Sequence, residues 1–378
     1  MSIRLLKMLV YVIIWAAVWQ SSTANAYAYA APAADSANEQ ARISVKASPA
    51  AAYESSLPLD DAAWSKMVRE GIARKAQEYP NSDTYVTVHH KTYVVDASYN
   101  LYDPAEAVSI QLEDAGRQQL RAFMWLLRST HYGVSIPWEQ AKRRFPLKST
   151  FTIMDVESGL RFEGQRRAGS THADVQPLTR KDSGIMKRIY GGKWSWKRKA
   201  ILVIKDGQAV AASMHGMPHG GDGIPDNGFS GHFCIHFPGS STHGSGLVDH
   251  DHQIMILKAA GALEHYMTQS SPSDIVELFF TSINQKEPEL MTAIFPHRAH
   301  EQLASVKQEV SNITAIRRIT DYDRHASSDM LVSEAAVRAT IHRTGSRKET
   351  RTILFQLRRS AVWQPWKVES VVFHKSRT

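Results

Sequence analysis

Ala209-Val210-Ala211-Ala212-Ser213-Met214 runs straight into His215-Gly216, and after a glycine-rich loop the chain continues as Ser230-Gly231-His232-Phe233-Cys234-Ile235-His236. The first piece has the composition of a strand. Lys205-Asp206-Gly207-Gln208 precedes it as a turn and ties it to a buried apolar run, Ala200 to Ile204, so the two predict a hairpin. In the second piece His232, Cys234 and His236 fall on one face at the two-residue period of an extended chain. Upstream, Phe151 to Val156 and Leu160 to Arg166 flank Glu157-Ser158-Gly159 and predict another hairpin. Thr179 to Tyr190 reads as a short helix, with Asp182 near its start and Gly191-Gly192 at its end. A mainly-β core is therefore expected over residues 135–268, closed by a helix from His252 to Tyr266.

Cys234 is the only cysteine in the chain, so no internal disulfide is available. The first residues have the layout of a secretory signal peptide over 1–26: Arg4 and Lys7, an apolar run from Leu9 to Trp19, then Ala24-Asn25-Ala26. The run is short of the roughly 20 residues a membrane span needs, so no stable span is expected after cleavage. In an oxidising compartment a lone thiol is a liability unless it is buried or used. The expected location is secreted, at the cell wall or envelope. The formal charge of +8 includes Arg4 and Lys7; the mature chain stays basic, which suits peptidoglycan or another anionic wall polymer as partner. Nucleic acid is not expected, since no binding motif is present. With 43% hydrophobic residues the chain can bury substantial cores.

Residues 27–58 are rich in Ala, Ser and Pro without an apolar period, and predict a disordered linker. Residues 59–134 predict an α+β region: an amphipathic helix over 60–78 (Trp64, Met67, Val68, Ile72), strands within Tyr85 to Val95, and a helix over 104–128 with Val108, Leu112, Leu120, Phe123 and Leu127 on its apolar side. Residues 271–378 predict a second α+β region. Ser273 or Asp274 caps a helix through Asn284; Pro288 to Phe295 is another helix; Val332 to Arg343, Arg351 to Leu357 and Trp366 to Phe373 are strands. Helices followed by long antiparallel strands resemble the nuclear transport factor 2-like cone fold in element order and length, and an accessory or binding role is expected there.

The stretch from Ser213-Met214-His215-Gly216 to Cys234-Ile235-His236 resembles the L,D-transpeptidase (YkuD-type) catalytic domain, over roughly residues 148–266. That family carries a His-Gly pair at a strand end and then a Ser-His-Gly-Cys-Ile/Val-Arg signature. The resemblance implies Cys234 as nucleophile, His215 in the place of the upstream histidine, His232 as the histidine two before the cysteine, and Ile235 as the aliphatic after it. Ser230 lies one residue further from the cysteine than in the family. Phe233 stands where the family has Gly, and His236 where it has Arg. The implied activity is cysteine-dependent acyl transfer on peptidoglycan stem peptides. It needs no cofactor: a histidine takes the thiol proton, and the thiolate forms a thioester with an amide carbonyl. His215 or His232 is expected as base and His236 as its partner. Ser230, Gly231, Phe233, His219, Trp194 and Trp196 are expected around the substrate. Trp194 and Trp196 sit in a run of aromatics and cations, Gly191 to Lys199, that suits a glycan-gripping rim or equally a basic turn entering a buried strand.

Two other readings of the same residues stay open. His172, Asp174, His215, His232 and His236 could hold zinc in a cell-wall hydrolase, although no His-Glu-x-x-His is present. Asp249-His250-Asp251-His252 is a further cluster, which also suits a helix cap. Alternatively Cys234 and its histidines pack on a buried strand face, in a wall-binding protein without catalysis.

Overall fold

The computed structural model describes residues 40–76, 79–221, 223–244, 246–297, 300–320, 329–345 and 347–375. The signal peptide expected over 1–26 and the start of the expected linker lie outside these residues. The fold is mixed α/β, with many antiparallel strands and a six-stranded closed barrel. Among the described residues, no helix is long and apolar enough to cross a membrane.

The N-terminal region is a seven-stranded antiparallel sheet. Its elements are β1 (Arg42–Val45), β2 (Ser55–Pro58), α1 (Asp61–Glu70), β3 (Ile72–Lys75), β4 (Thr84–Val88), β5 (Lys91–Val95), β6 (Leu101–Asp103), β7 (Val108–Gln111) and α2 (Asp114–His131). The strand order is β2-β1-β4-β5-β6-β7-β3. Three sequence expectations are corrected here. The linker does not extend to 58, because β1 lies between β2 and β4 with Ile43 and Val45 fully buried. A four-residue alternation beside alanines is too short to show as a period. The helix expected over 60–78 ends at Glu70; Gly71 sits so close to Ile110 of β7 that a Cβ would collide with it, and Ile72–Lys75 pairs with β7 instead. Val108 belongs to β7 and not to the helix, which starts at Asp114 and packs Leu120 and Leu127 against β1 and β2.

After α3 (Trp138–Arg144) comes the barrel: β8 (Thr150–Asp155), β9 (Arg161–Ala168), β10 (Ala173–Pro177), α4 (Arg180–Ile189), β11 (Arg198–Lys205), β12 (Gln208–His215) and β13 (Phe233–His236). Both hairpins expected from the sequence are present, and β10-β13-β12-β11-β8-β9 close on themselves. Helix α4 starts with a capping box, Thr179 and Asp182 satisfying each other's backbone N–H. Alternate residues fill the interior: Phe151 and Ile153, Phe162, Val175, Ile201 and Val203, Val210 and Ala212, Phe233 and Ile235. The other face of β11 and β12 is covered by α5 (His250–Ala259), whose Ile254, Met255 and Ala259 meet Leu202 and Ala211. The single helix expected over 252–266 is two. Gly261, at φ 63°, breaks it, and α6 (Leu263–Gln269) follows.

The C-terminal region has α7 (Pro272–Gln285), α8 (Pro288–Ala293), α9 (Glu301–Val310) and the antiparallel sheet β14 (Ile313–Arg318), β15 (Val332–Arg343), β16 (Glu349–Arg358) and β17 (Lys367–Lys375). Ser271, not Ser273, is the cap of α7, paired with Asp274. Phe279 and Phe280 pack on Phe355 of β16. The apolar cluster beneath α5 continues without a break through α7 and α8 into this sheet. Helix α5 is thus the shared wall between the barrel and the C-terminal region.

Candidate functional site

Register builds the site. The closure of the barrel places Asp174 of β10 directly opposite Cys234 of β13, and Ser213 of β12 opposite His236. With Phe233 and Ile235 turned into the barrel, Asp174, Cys234, His236, Ser213 and His215 all lie on its outer side. Beyond the strand ends the chain pairs once more: His219 and His232 exchange backbone N–H···O bonds of 3.0 and 2.8 Å. Gly231 makes this possible. Its φ is 84°, and a Cβ there would strike the His219 carbonyl oxygen. Gly231→Ala is therefore expected to cost at least about 1–3 kcal/mol and to displace His219, read together as a lower melting temperature and slower alkylation of Cys234 by iodoacetamide. A variant matching the wild type in both would show that this turn does not set the site.

The Cys234 Sγ lies 3.4 Å from His219 Nε2 and 4.0 Å from Asp174 Oδ1. His219 Nδ1 donates to the Met217 carbonyl at 3.0 Å, so in the neutral ring Nε2 carries the lone pair that faces the thiol. His172 is held the same way: Nδ1 donates to the Ser241 carbonyl at 2.7 Å, and Nε2 stands 3.2 Å from Asp174 Oδ1 with no aligned hydrogen bond. His243 Nε2 is 3.0 Å and His232 Nε2 3.7 Å from that same oxygen. The donor atoms of His172, Asp174, Cys234 and His243 lie within 4.8 Å of one another, as do those of His215, His219 and Cys234. Both are groups that could hold a metal ion.

Burial keeps several groups here neutral. Burial, reinforced by the charge of Asp174, pushes the Cys234 thiol up from its ordinary value. Burial pushes His215 and His236 down to about 2, with neighbouring imidazoles and Arg198 adding to it. His252 is driven well below its ordinary value for the same reason, and His232 is lowered because burial outweighs Asp174. Asp174 is the exception. Burial would raise it, but its contacts with His172 and His243 and the charge of His232 prevail and hold it at about 2. The site thus sets one carboxylate and one neutral thiol beside the buried, neutral imidazoles of His215, His236 and His252.

The sequence-derived candidates separate on this geometry. Cys234, His215, His219 and His232 come together, and Trp196, half exposed, lies over two of them, its ring centre 4.7 Å from His215 and 5.2 Å from His219. His236 does not reach the thiol. It lies one layer behind, stacked between His172 (4.6 Å) and His252 (3.8 Å), whose Nδ1 meets Ser213 Oγ at 2.9 Å. Phe233, expected beside the substrate, is fully buried in the barrel against Phe162 and Phe229, on the opposite side of β13 from Cys234. Trp194 packs edge-on against Phe229, so the basic-aromatic run divides into one half-buried tryptophan packed on the barrel core and one exposed tryptophan. Ser230 is exposed on the approach to the turn. Asp249 and Asp251 are structural: Asp249 caps α5 and pairs with Arg198 at 2.6 Å, and Asp251 accepts from Thr281 and Gln285. Sequence reasoning missed the two backbone carbonyls, of Met217 and Ser241, that aim the imidazoles. No protein family, curated protein or solved structure matches this chain.

Proposed function

We propose that this protein is an exported cysteine-dependent acyltransferase acting on peptidoglycan stem peptides, with Cys234 as nucleophile and His219, not His215, as its base. The observation that carries this reading is the line Cys234 Sγ, His219 Nε2, His219 Nδ1, Met217 carbonyl: nucleophile, base and a fixed group that orients the base. His219 takes the thiol proton as sulfur bonds to the carbonyl carbon of the peptide. The tetrahedral adduct expels the amine, which leaves with the proton from His219, and a thioester remains. An acceptor amine or water then releases the acyl group, and Cys234 recovers its proton. Because burial favours the neutral thiol, the proton moves with the attack and no thiolate–imidazolium pair is stored beforehand. Trp196 supplies an apolar, stacking rim at the entrance.

His219→Gln is expected to slow acylation of Cys234 by a carbapenem, followed by mass spectrometry, by about 10²–10⁴-fold. His215, whose Nδ1 receives only a long 3.4 Å contact from the Met217 N–H, is expected to matter less. Wild-type acylation in His219→Gln, with the loss appearing in His215→Gln, would return the base to His215.

A second reading, a zinc-dependent wall hydrolase, is favoured by one observation: His172 Nε2 and the Asp174 carboxylate face each other inside the protein without an aligned hydrogen bond. Bound zinc would supply an activated water. Turnover that persists after exhaustive chelation excludes it.

A further inference from the structure

We infer that His172, Asp174, Cys234 and His243 form a binding site for one thiophilic divalent cation of the zinc class, and that the bound ion holds Cys234 as a metal thiolate and withholds it from substrate. The consequence for catalysis rests on the acyl-transfer reading; the site itself does not. The argument starts from His172. Its side chain is only 1% exposed, its Nδ1–H is committed to the Ser241 carbonyl, and its Nε2 has no hydrogen-bond partner while pointing at Asp174 Oδ1, 3.2 Å away. Two lone pairs at that separation repel unless a cation lies between them. A proton can serve only one such pair. The same oxygen is hydrogen-bonded by His243 Nε2 at 3.0 Å and reached by the Cys234 thiol at 4.0 Å, with His232 Nε2 3.7 Å away. One divalent ion satisfies several of these contacts at once.

The dimensions agree. Bond lengths of about 2.0–2.3 Å at tetrahedral angles set ligand atoms about 3.3–3.6 Å apart. The observed separations from Asp174 Oδ1 are 3.0, 3.2 and 4.0 Å, and all four donor atoms lie within 4.8 Å of one another. The mixture of imidazole, carboxylate and thiolate is a zinc set. Donation from Nδ1 of a ligating histidine to a backbone carbonyl is the outer support that such sites use. Three of the ligands sit on β10, β13 and the turn before β10, already ordered by the barrel. His243 closes the site from an exposed loop.

Binding is a proton exchange: the ion bonds to sulfur, and the thiol proton leaves to solvent through His219, whose Nε2 lies 3.4 Å from Sγ. A metal-bound sulfur no longer has a lone pair aimed at an acyl carbonyl. The mature enzyme would then be held silent by metal and released when metal is scarce.

The test uses the full mature protein with Co²⁺ and then Zn²⁺ as probes. One Co²⁺ per chain with a sulfur-to-cobalt charge-transfer band is expected, absent from Cys234→Ser. With free Zn²⁺ at about ten times Kd, only about one chain in eleven keeps a free thiol, so alkylation of Cys234 by iodoacetamide should slow about elevenfold. His243→Ala, a change on the exposed loop that leaves the barrel intact, should weaken the metal by more than the roughly 10–100-fold that loss of an outer partner costs. Cobalt binding without the band, alkylation unaffected by saturating zinc, or unchanged affinity in His243→Ala would each overturn the proposal. Because alkylation and the spectrum need no substrate, failure of the acyl-transfer reading leaves this test intact, and a protein that binds neither ion yet turns over leaves the acyl-transfer reading standing alone.

Discussion

Cys234→Ala is expected to abolish acylation and turnover, by about 10⁴-fold or more, while the protein stays folded. The sulfur is the atom that would carry the acyl group, and the neighbouring side chains offer no substitute. His219 serves as the base in this reading, and Asp174 is committed to the imidazoles around it. The structural cost is small by comparison. Cys234 points away from the barrel interior, where Phe233 and Ile235 do the packing, so losing one buried sulfur costs about 1 kcal/mol. Circular dichroism and a melting curve separate the two effects. Cys234→Ser is expected to be nearly as inactive, because a buried hydroxyl is far harder to deprotonate than a thiol and the proposed base, His219, is unchanged. Mass spectrometry with a carbapenem reads the outcome directly: a covalent adduct on wild type and none on either variant. Retained turnover in Cys234→Ala would discard the thiol mechanism and leave the zinc hydrolase as the reading to pursue.

The parts of this site that depend on local periodicity could be read from the chain. The hairpin from Arg198 to His215 follows from two apolar runs around Asp206-Gly207, and the shared face of Cys234 and His236 follows from the two-residue period. Thr179 and Asp182 announced the start of α4. What could not be read is what closure imposes. Asp174 faces Cys234 because β10 pairs with β13 across the barrel seam, a contact between segments far apart in sequence that no local pattern encodes. The choice of base shows the same limit at smaller scale. His215-Gly216 and His219-Gly220 are both His-Gly pairs. The strand before His215 drew attention to the first, but the bridge between His219 and His232 brings the second to the thiol. The pairing of Pro218-His219-Gly220 with Gly231-His232 was the available signal: two glycine-flanked histidines on either side of one loop. His236 misled because sharing a strand face with Cys234 also means lying two residues along the strand from it, which is enough to place it in the layer behind. Residues 40–58 carry too short a pattern to read as strands, since β1 shows only Ile43 and Val45 as its apolar face.

Lys258→Met is expected to destabilise the protein by about 3–5 kcal/mol, the largest effect on stability of any substitution considered, and without touching the site. Lys258 is buried on α5 between two carboxylates, Glu157 at 2.6 Å and Glu287 at 2.5 Å. Burial alone would lower its pKa; Glu287 and Glu157 reverse that and raise it above the ordinary lysine value, while Lys258 in turn draws Glu157 down despite its own burial. The lysine joins all three regions. Glu157 belongs to the turn between β8 and β9, accepts from Ser48 Oγ at 2.7 Å, and through its carbonyl binds the Ala52 and Tyr53 N–H groups of the N-terminal region. Glu287 lies between α7 and α8. Methionine matches the length of the stem but leaves two half-buried anions with no cation between them, so the loss is mainly the uncompensated charge and not the packing. Chemical denaturation of the single variant, of Glu287→Gln and of the double variant measures this. If the charge argument holds, Glu287→Gln added to Lys258→Met should recover stability, because it removes one of the stranded anions. A double variant no more stable than Lys258→Met would assign the cost to packing. The same helix carries His252 against Ser213 and, through Asp249, Arg198. A loosened α5 should therefore also raise the rate at which Cys234 is alkylated, which connects the stability of the junction to the closure of the site it backs.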